Sequence, residues 1–275
     1  MKKIAVLLTV HNRKQSTIQC LAKLFSQAIP SDCDMCVYMT DDGCSDGTPE
    51  AVKERFPQVH IIKGDGNLFW NRGMWTAWNE AAKEDYDYYL WLNDDTMLFE
   101  DAITGVLGES LETSDKAILT GATCSITTGK CTYGLYNKGK LLEPNGLFQS
   151  GDGMNGNFVL VPKHVFGILG NLDPFYPHAV GDTDYGLRAI ENGIPVCLSK
   201  KYIGTCEKHP SFEKWCDPQT PFSIRWKSLN KPKGMPLRVM FYHDKKHKNI
   251  VTACFHVITT ALHCCFPNLW IKYKL

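Results

Sequence analysis

Residues 86–92 form an aromatic and apolar run interrupted only by Asp87, and Asn93, Asp94 and Asp95 follow it directly. A run of this kind reads as a buried strand of a parallel sheet. In open α/β sheets, ligands gather outside the carboxyl ends of the strands. Adjacent carboxylates repel each other unless a positive charge lies between or beside them. A divalent cation holding a phosphate would meet that need. The plain alternative is a strand ending in a solvated Asn-Asp-Asp turn. The stretch by itself favours the turn, and the rest of the chain decides.

The elements that must position this pair can be read from the surrounding chain. Residues 4–10 form a first strand, and Thr9-Val10-His11-Asn12-Arg13 leaves its carboxyl end. Ile18, Leu21, Leu24 and Phe25 repeat at helical spacing, and Pro30 closes that helix. Residues 35–40 form a second strand that runs into Asp41-Asp42-Gly43-Cys44-Ser45-Asp46-Gly47-Thr48. Thr48 is placed to cap the next helix, with Pro49 at its first position and Glu50 complementing its dipole. A third strand spans 59–63, Gly64-Asp65-Gly66-Asn67 makes a turn, and residues 71–83 form a helix carrying Met74, Trp75, Trp78 and Ala82. Four strand–helix steps in about 95 residues imply a parallel, right-handed, doubly wound sheet.

Beyond Asp101 the alternation weakens. A helix over 102–111 and a strand over 117–122 are followed by hairpins and loops over 123–153. Strand character returns over 154–162 and 194–198. Between them, Asp182 is placed to cap a helix with Asp184 in its first turn. Cys206-Glu207-Lys208-His209-Pro210 forms a late loop.

The 275 residues are 44% hydrophobic and 21% charged, as in an ordinary globular protein. A net charge of +1 gives no basis for nucleic-acid binding. Twelve cysteines fall below the density of a disulfide scaffold. Cys33-x-x-Cys36 has no second CxxC, and Cys36 fits the alternation of a strand, so zinc is disfavoured. Lys2-Lys3 precedes a short apolar run with no small-residue cleavage site, which reads as a strand and not a signal peptide. A cytoplasmic protein with reduced thiols is expected. No G-x-G-x-x-G follows the first strand and no P-loop occurs, which disfavours a dehydrogenase. The sheet must then hold phosphate charge without a glycine cradle, and a metal on Asp95 would do so.

Taken together, these stretches resemble family 2 glycosyltransferases, which have the GT-A fold. Thr9-Val10-His11-Asn12-Arg13, residues 41–48 and Asn93-Asp94-Asp95 match the family's three donor-binding stretches in order and spacing. Gly66-Asn67-Leu68-Phe69-Trp70-Asn71-Arg72-Gly73 is similar to a loop of its rhamnosyltransferase-like members. Asn155-Gly156 and Asp182-Thr183-Asp184-Tyr185-Gly186-Leu187-Arg188 resemble its later motifs. The match runs over about residues 3–210. The implied architecture is α/β: a Rossmann-like, mostly parallel sheet flanked by helices, with a C-terminal helical extension. Residues 1–230 would form the transferase domain, with a nucleotide-binding half over 1–100 and an acceptor half over 101–230. Residues 231–275 would form the extension.

The resemblance also implies roles. The activity would be inverting transfer from a UDP- or dTDP-sugar to a glycan or lipid-linked acceptor, in surface polysaccharide biosynthesis. Asp41 would accept the N3–H of uracil or thymine, and Asp42 would shape that loop. Thr9, His11 and Asn12 would line base and ribose, with Asp94 near the ribose. Asn67, Trp70, Gly73 and Asn93 would complete the donor side, and Asn155 and Gly156 the acceptor side. Asp95 and His209 would hold Mg²⁺ or Mn²⁺ on the diphosphate. The family's Glu-Asp pair reads Gly181-Asp182 here, so the general base is carried to Asp182, with Asp184 as its rival.

Plainer readings stand beside these: Asp182 as a simple helix cap, His209 as a solvated loop residue, and Trp75 and Trp78 as a buried helix face. A sugar nucleotidyltransferase would show a Gly-rich loop after the first strand, and residues 9–13 hold no glycine. A non-catalytic nucleotide-sugar binder draws its support from Gly181.

The tail differs from the rest. Lys231, Lys233, Arg238, Lys245, Lys246 and Lys248 face one acid, Asp244. An amphipathic helix over 249–266 follows, with an apolar stripe of Ile250, Cys254, Val257, Ile258, Ala261 and Cys265. It is too short and too polar for a membrane span. It would pack on its own domain or on a second subunit, the favoured reading, or lie on an anionic membrane at the inner face.

Overall fold

Strand β1 (Lys2–Val10) sits inside the sheet, and its residues Ile4 to Leu8 have no exposed surface. Apolar side chains on both faces are what a strand covered on both sides requires. Strands β2 (Cys33–Asp41), β3 (His60–Lys63) and β4 (Tyr88–Leu92) run parallel to it in the order β4-β1-β2-β3. Helices α1 (Lys14–Phe25), α2 (Thr48–Arg55) and α3 (Phe69–Ala81) make the crossovers. Alternation along β1 divides the core. Ile4, Val6 and Leu8 join Leu21 and Leu24 of α1 and Val52 of α2 on one face. Ala5 and Leu7 join Met74 and Trp78 of α3 on the other. Trp78 is fully buried and Trp75 packs partly buried against the same cluster, so both belong to the helix face.

The chain continues through β5 (Met97–Leu98), α4 (Ala102–Glu112) and β6 (Ile118–Cys124). Short strands β7 (Cys131–Tyr133), β8 (Leu135–Asn137), β9 (Lys140–Leu141), β10 (Gln149–Ser150) and β11 (Gly153–Met154) then lead to β12 (Phe158–Pro162). Helices α5 (Lys163–Leu169) and α6 (Gly181–Glu191) and strand β13 (Val196–Thr205) complete this part. β12 lies antiparallel between β4 and β6, and β13 runs parallel to β6. The result is the expected α/β fold: a mixed, mostly parallel sheet flanked by helices. Strand β12 joins the two halves of the sheet by pairing directly with β4, which ends at the acidic pair.

Three helix starts differ from expectation, two of them because a side chain outside the helix supplies the cap. Helix α3 begins two residues early, at Phe69, because Asp42 accepts the Leu68 and Phe69 N–H groups at 3.1 and 2.8 Å. At α2, Asp46 and not Thr48 does the capping, accepting from Thr48 N at 3.1 Å and Thr48 Oγ1 at 2.5 Å. Helix α6 starts at Gly181, which moves Asp182 from the cap into the first turn beside Asp184.

The structure describes residues 1–208 and 214–268 of a computed structural model. His209 lies outside the described residues. One compact unit comprises Met1–Pro174 with Gly181–Lys208, and a second comprises Phe175–Val180 with the described part of His209–Leu275. The second unit holds α7 (Phe222–Leu229), α8 (Leu237–His247) and α9 (Ile250–Cys265). Buried Arg225 of α7 donates to the carbonyl oxygens of Cys264 and Cys265 at 2.7 and 3.2 Å, satisfying the C-terminal end of α9. Asp244 of α8 accepts from His256 Nδ1 at 2.6 Å and from Lys248 Nζ at 2.9 Å. The face that α9 buries is Ala253, Thr260 and Cys264, not the apolar stripe read from its sequence. No helix among the described residues is long and apolar enough to cross a membrane.

Candidate active site

The four parallel strands deliver their carboxyl ends to one edge: His11 to Arg13 after β1, Asp41 and Asp42 at the end of β2, residues 64–68 after β3, and Asn93 to Asp95 after β4. Parallel pairing makes this convergence unavoidable, and it is where such sheets bind ligands.

The charge that the acidic pair needs is supplied by the chain itself. Arg13 Nη1 donates to Asp94 Oδ1 at 2.8 Å, and Nη2 to Asp95 Oδ2 at 2.7 Å. One planar guanidinium thus bridges both carboxylates. Asp94 is buried and also accepts from Thr17 Oγ1 at 3.3 Å, while Ser16 Oγ donates to its carbonyl at 2.7 Å. Burial pushes the Asp94 carboxyl up to about 6; Arg13 opposes the shift and Asp95 adds to it. The Cys206 thiol is pushed up to about 12 by burial and then by Asp95, so it stays protonated. Among the described residues, no group of three or more His, Cys, Asp or Glu side chains is placed to hold a metal. The donor chemistry that remains is the Asp95 carboxylate, a hard oxygen ligand. It fits Mg²⁺ or Mn²⁺ completed by phosphates and water. Arg13, Ser16, Thr17 and Cys206 were not readable as site residues. The one signal in sequence was a cationic residue in a strand-end loop of a chain with a strand-end acidic pair.

The β1 and β2 loops are tied together. His11 Nδ1–H donates to the Asp42 carbonyl at 2.6 Å, and Ser45 N donates to Asn12 Oδ1 at 2.7 Å. Asn12 takes a left-handed backbone, φ 53°, which asparagine tolerates. Asp41 Oδ1 accepts from Cys44 N at 2.8 Å. The Asp42 carboxylate is fully engaged by the backbone N–H groups of Gly66, Leu68 and Phe69. Asn67 is exposed on this turn, its N–H donating to Asp65 Oδ1 at 2.8 Å. Thr9 and Gly73 meet where α3 crosses β1: a Cβ on Gly73 would collide with Thr9 Oγ1. Gly73→Ala is therefore expected to destabilise the fold by about 1–3 kcal/mol through overpacking, read as a lower urea midpoint at an unchanged slope.

Gly156, expected on the acceptor side, reaches the same edge through Trp70. Its Nε1 donates to Asn93 Oδ1 at 2.7 Å, and its ring stands edge-on to Trp91. A Cβ on Gly156 would strike the Trp70 ring, so the β11–β12 loop lies against the indole. Gly156 N in turn donates to Asp182 Oδ2 at 2.9 Å. Asn155 does not reach this chain; it pairs with the Gly134 backbone through its own N–H and Oδ1. Burial raises the Asp182 carboxyl above its ordinary value, against hydrogen bonds from Thr183 and Gly156. Asp184 is wholly buried and ion-paired with Arg188 Nε at 3.0 Å, while Arg188 also donates to the Leu169 and Asn171 carbonyls. Gly181 abuts Asn71 so closely that any Cβ would collide with the Asn71 amide. The glycine that replaces the resembled Glu is thus a packing requirement of this chain.

The description of glycosyl transferase family 2 matches residues 5–158, more than half of the chain. No curated protein matches it. Among solved structures, S. aureus TarS 1-349 superposes with a TM-score of 0.56 at 10% identity, covering 97% of this chain and 72% of that one. Its complex with UDP gives 0.58 at 10% identity, covering 92% and 68%. The mannosyltransferase PcManGT from Pyrobaculum calidifontis, in complex with GDP-Man and Mn²⁺, gives 0.54 at 13% identity, covering 98% and 87%. At these identities the likeness is one of fold, and the fold is GT-A. With its strand-end acidic pair, its sheet and its sequence match in agreement, the chain belongs to glycosyl transferase family 2.

Proposed function

We propose that the protein is an inverting glycosyltransferase that moves a sugar from a nucleoside diphosphate to a hydroxyl of a glycan or lipid-linked acceptor during surface polysaccharide assembly. The observation that carries this reading is an unbroken chain of contacts. Asp182 bonds Gly156, Gly156 abuts Trp70, Trp70 bonds Asn93, and Asn93 leads into Asp94 and Asp95. A carboxylate with a raised pKa and a paired acidic cluster thus share one strand-end edge, as transfer between a diphosphate and a hydroxyl requires.

Each residue then has a task. Asp41, held by Cys44 N–H, accepts from the base edge of a uracil or thymine. His11 and Asn12 fix the loop beside it. Trp70 offers an aromatic surface between the donor and acceptor sides. Asp95 holds the cation, Mg²⁺ or Mn²⁺, which when bound offsets charge developing on the departing diphosphate. Asp182 takes the proton from the acceptor hydroxyl, and its raised pKa brings it nearer to working pH. A single displacement assisted by one base inverts the anomeric centre.

The test is a donor screen that measures nucleotide release with and without Mn²⁺. UDP-sugars and dTDP-sugars, including the rhamnosyl donor suggested by the loop over 66–73, are compared with GDP-mannose, the ligand in the Pyrobaculum calidifontis mannosyltransferase complex. Turnover with a pyrimidine donor that EDTA abolishes is expected. Donor binding without release, across donors and acceptors, would instead make the protein a non-catalytic binder.

A further inference from the structure

We propose that the outward face of α9 is a docking surface for anionic lipid. This helix carries its apolar residues in the reverse sense of one packed on a soluble core. Its buried side is small and partly polar: Ala253, Thr260 and Cys264. At about 100° per residue, Val251, Phe255, Ile258 and Leu262 form one narrow stripe on the opposite side. They are 75, 61, 58 and 45% exposed, and Phe266 beyond the helix is 56% exposed. The polar flank is not available to shield them, since His256 turns to Asp244. Contiguous exposed apolar surface of this kind marks an interaction site.

Charge identifies the occupant. Lys231, Lys233, Arg238, Lys245, Lys246 and Lys248 are all exposed on the segment leading into α9. Asp244, the one acid among them, is buried and paired with Lys248 and His256. From Lys245 to the last residue the sequence has no Asp or Glu. A second copy of this chain would set these cations against their own kind. An anionic headgroup layer complements them while the stripe enters the acyl boundary. The 16 residues of α9 lie along such a surface without crossing it.

The experiment is sedimentation of the full chain with vesicles of phosphatidylcholine alone or mixed with phosphatidylglycerol. Binding to the mixed vesicles, weakened by salt, is expected. Phe255→Gln with Ile258→Gln should weaken it at least about tenfold, since two large apolar side chains no longer enter the lipid. Both positions are exposed, and an unchanged melting temperature confirms the fold. Lys231→Gln with Lys245→Gln should remove the preference for the anionic vesicles. Three results overturn the proposal: no binding to mixed vesicles, equal binding by wild type and the Phe255/Ile258 variant, or a dimer in light scattering that this variant dissociates. The last would show a second copy on the stripe.

Discussion

Asp182→Asn lowers kcat by about 10²–10⁴-fold, the range that a positioned general base contributes, while nucleoside diphosphate binding stays within about twofold because the donor loops are untouched. The substitution keeps the side chain's shape and one oxygen to accept from Gly156 N, so the lost function is proton abstraction and not loop position. The pH profile supplies a second readout. A base works deprotonated, so kcat holds at high pH and falls as pH drops through its pKa. Burial raises that pKa, which puts the acid limb above the ordinary carboxylate range. The limb should vanish in the Asn variant. Asp184→Asn behaves differently. It strips the charge partner from Arg188 in a buried site, which costs about 3–5 kcal/mol of stability and appears as a lower melting temperature. If Asp182→Asn turns over near normally while Asp184→Asn folds well and is inactive, the base is Asp184.

The separation between what the chain announces and what it withholds follows the range of the interactions. Continuous apolar runs and helical spacings fix β1 to β4 and α1 to α3, because those patterns are local. The strand-end positions of Asp41, Asp42, Asn93, Asp94 and Asp95 follow from the same patterns. The partners of those residues do not. Arg13 lies 81 and 82 positions from the carboxylates it bridges, and Asp42 reaches 27 positions to start α3. Nothing in the local sequence of α3 marks Phe69 as its first residue. Which face α9 buries is hidden for a related reason. Periodicity locates an apolar stripe but not the direction it points, and the residues buried are the small Ala253, Thr260 and Cys264.

Arg13→Ala is expected to lower stability in metal-free buffer and to make Mn²⁺ more stabilising than it is for the wild type. Removing the guanidinium leaves Asp94 and Asp95 adjacent with no bridging charge. The pair is partly open to solvent, with the Arg13 side chain 39% exposed, so the buried-pair figure must be discounted to about 1–3 kcal/mol. A cation at Asp95 restores the missing charge, and stabilisation by a bound ligand grows as its affinity for the folded state grows. A cation held by the Asp95 oxygen that Arg13 contacts would compete with the guanidinium, so the variant should also bind Mn²⁺ more tightly in the presence of UDP, as titration calorimetry can read. Asp95→Ala removes the shared ligand. Its melting temperature should no longer respond to Mn²⁺, and its turnover should fall by about 10²–10³-fold, the scale of losing one electrostatic stabiliser of a leaving group. Equal Mn²⁺ stabilisation of wild type and Arg13→Ala would show that guanidinium and metal use different oxygens. Full wild-type turnover in EDTA would remove the metal from the site, and Arg13 would then be the cation that the acidic pair faces throughout the reaction.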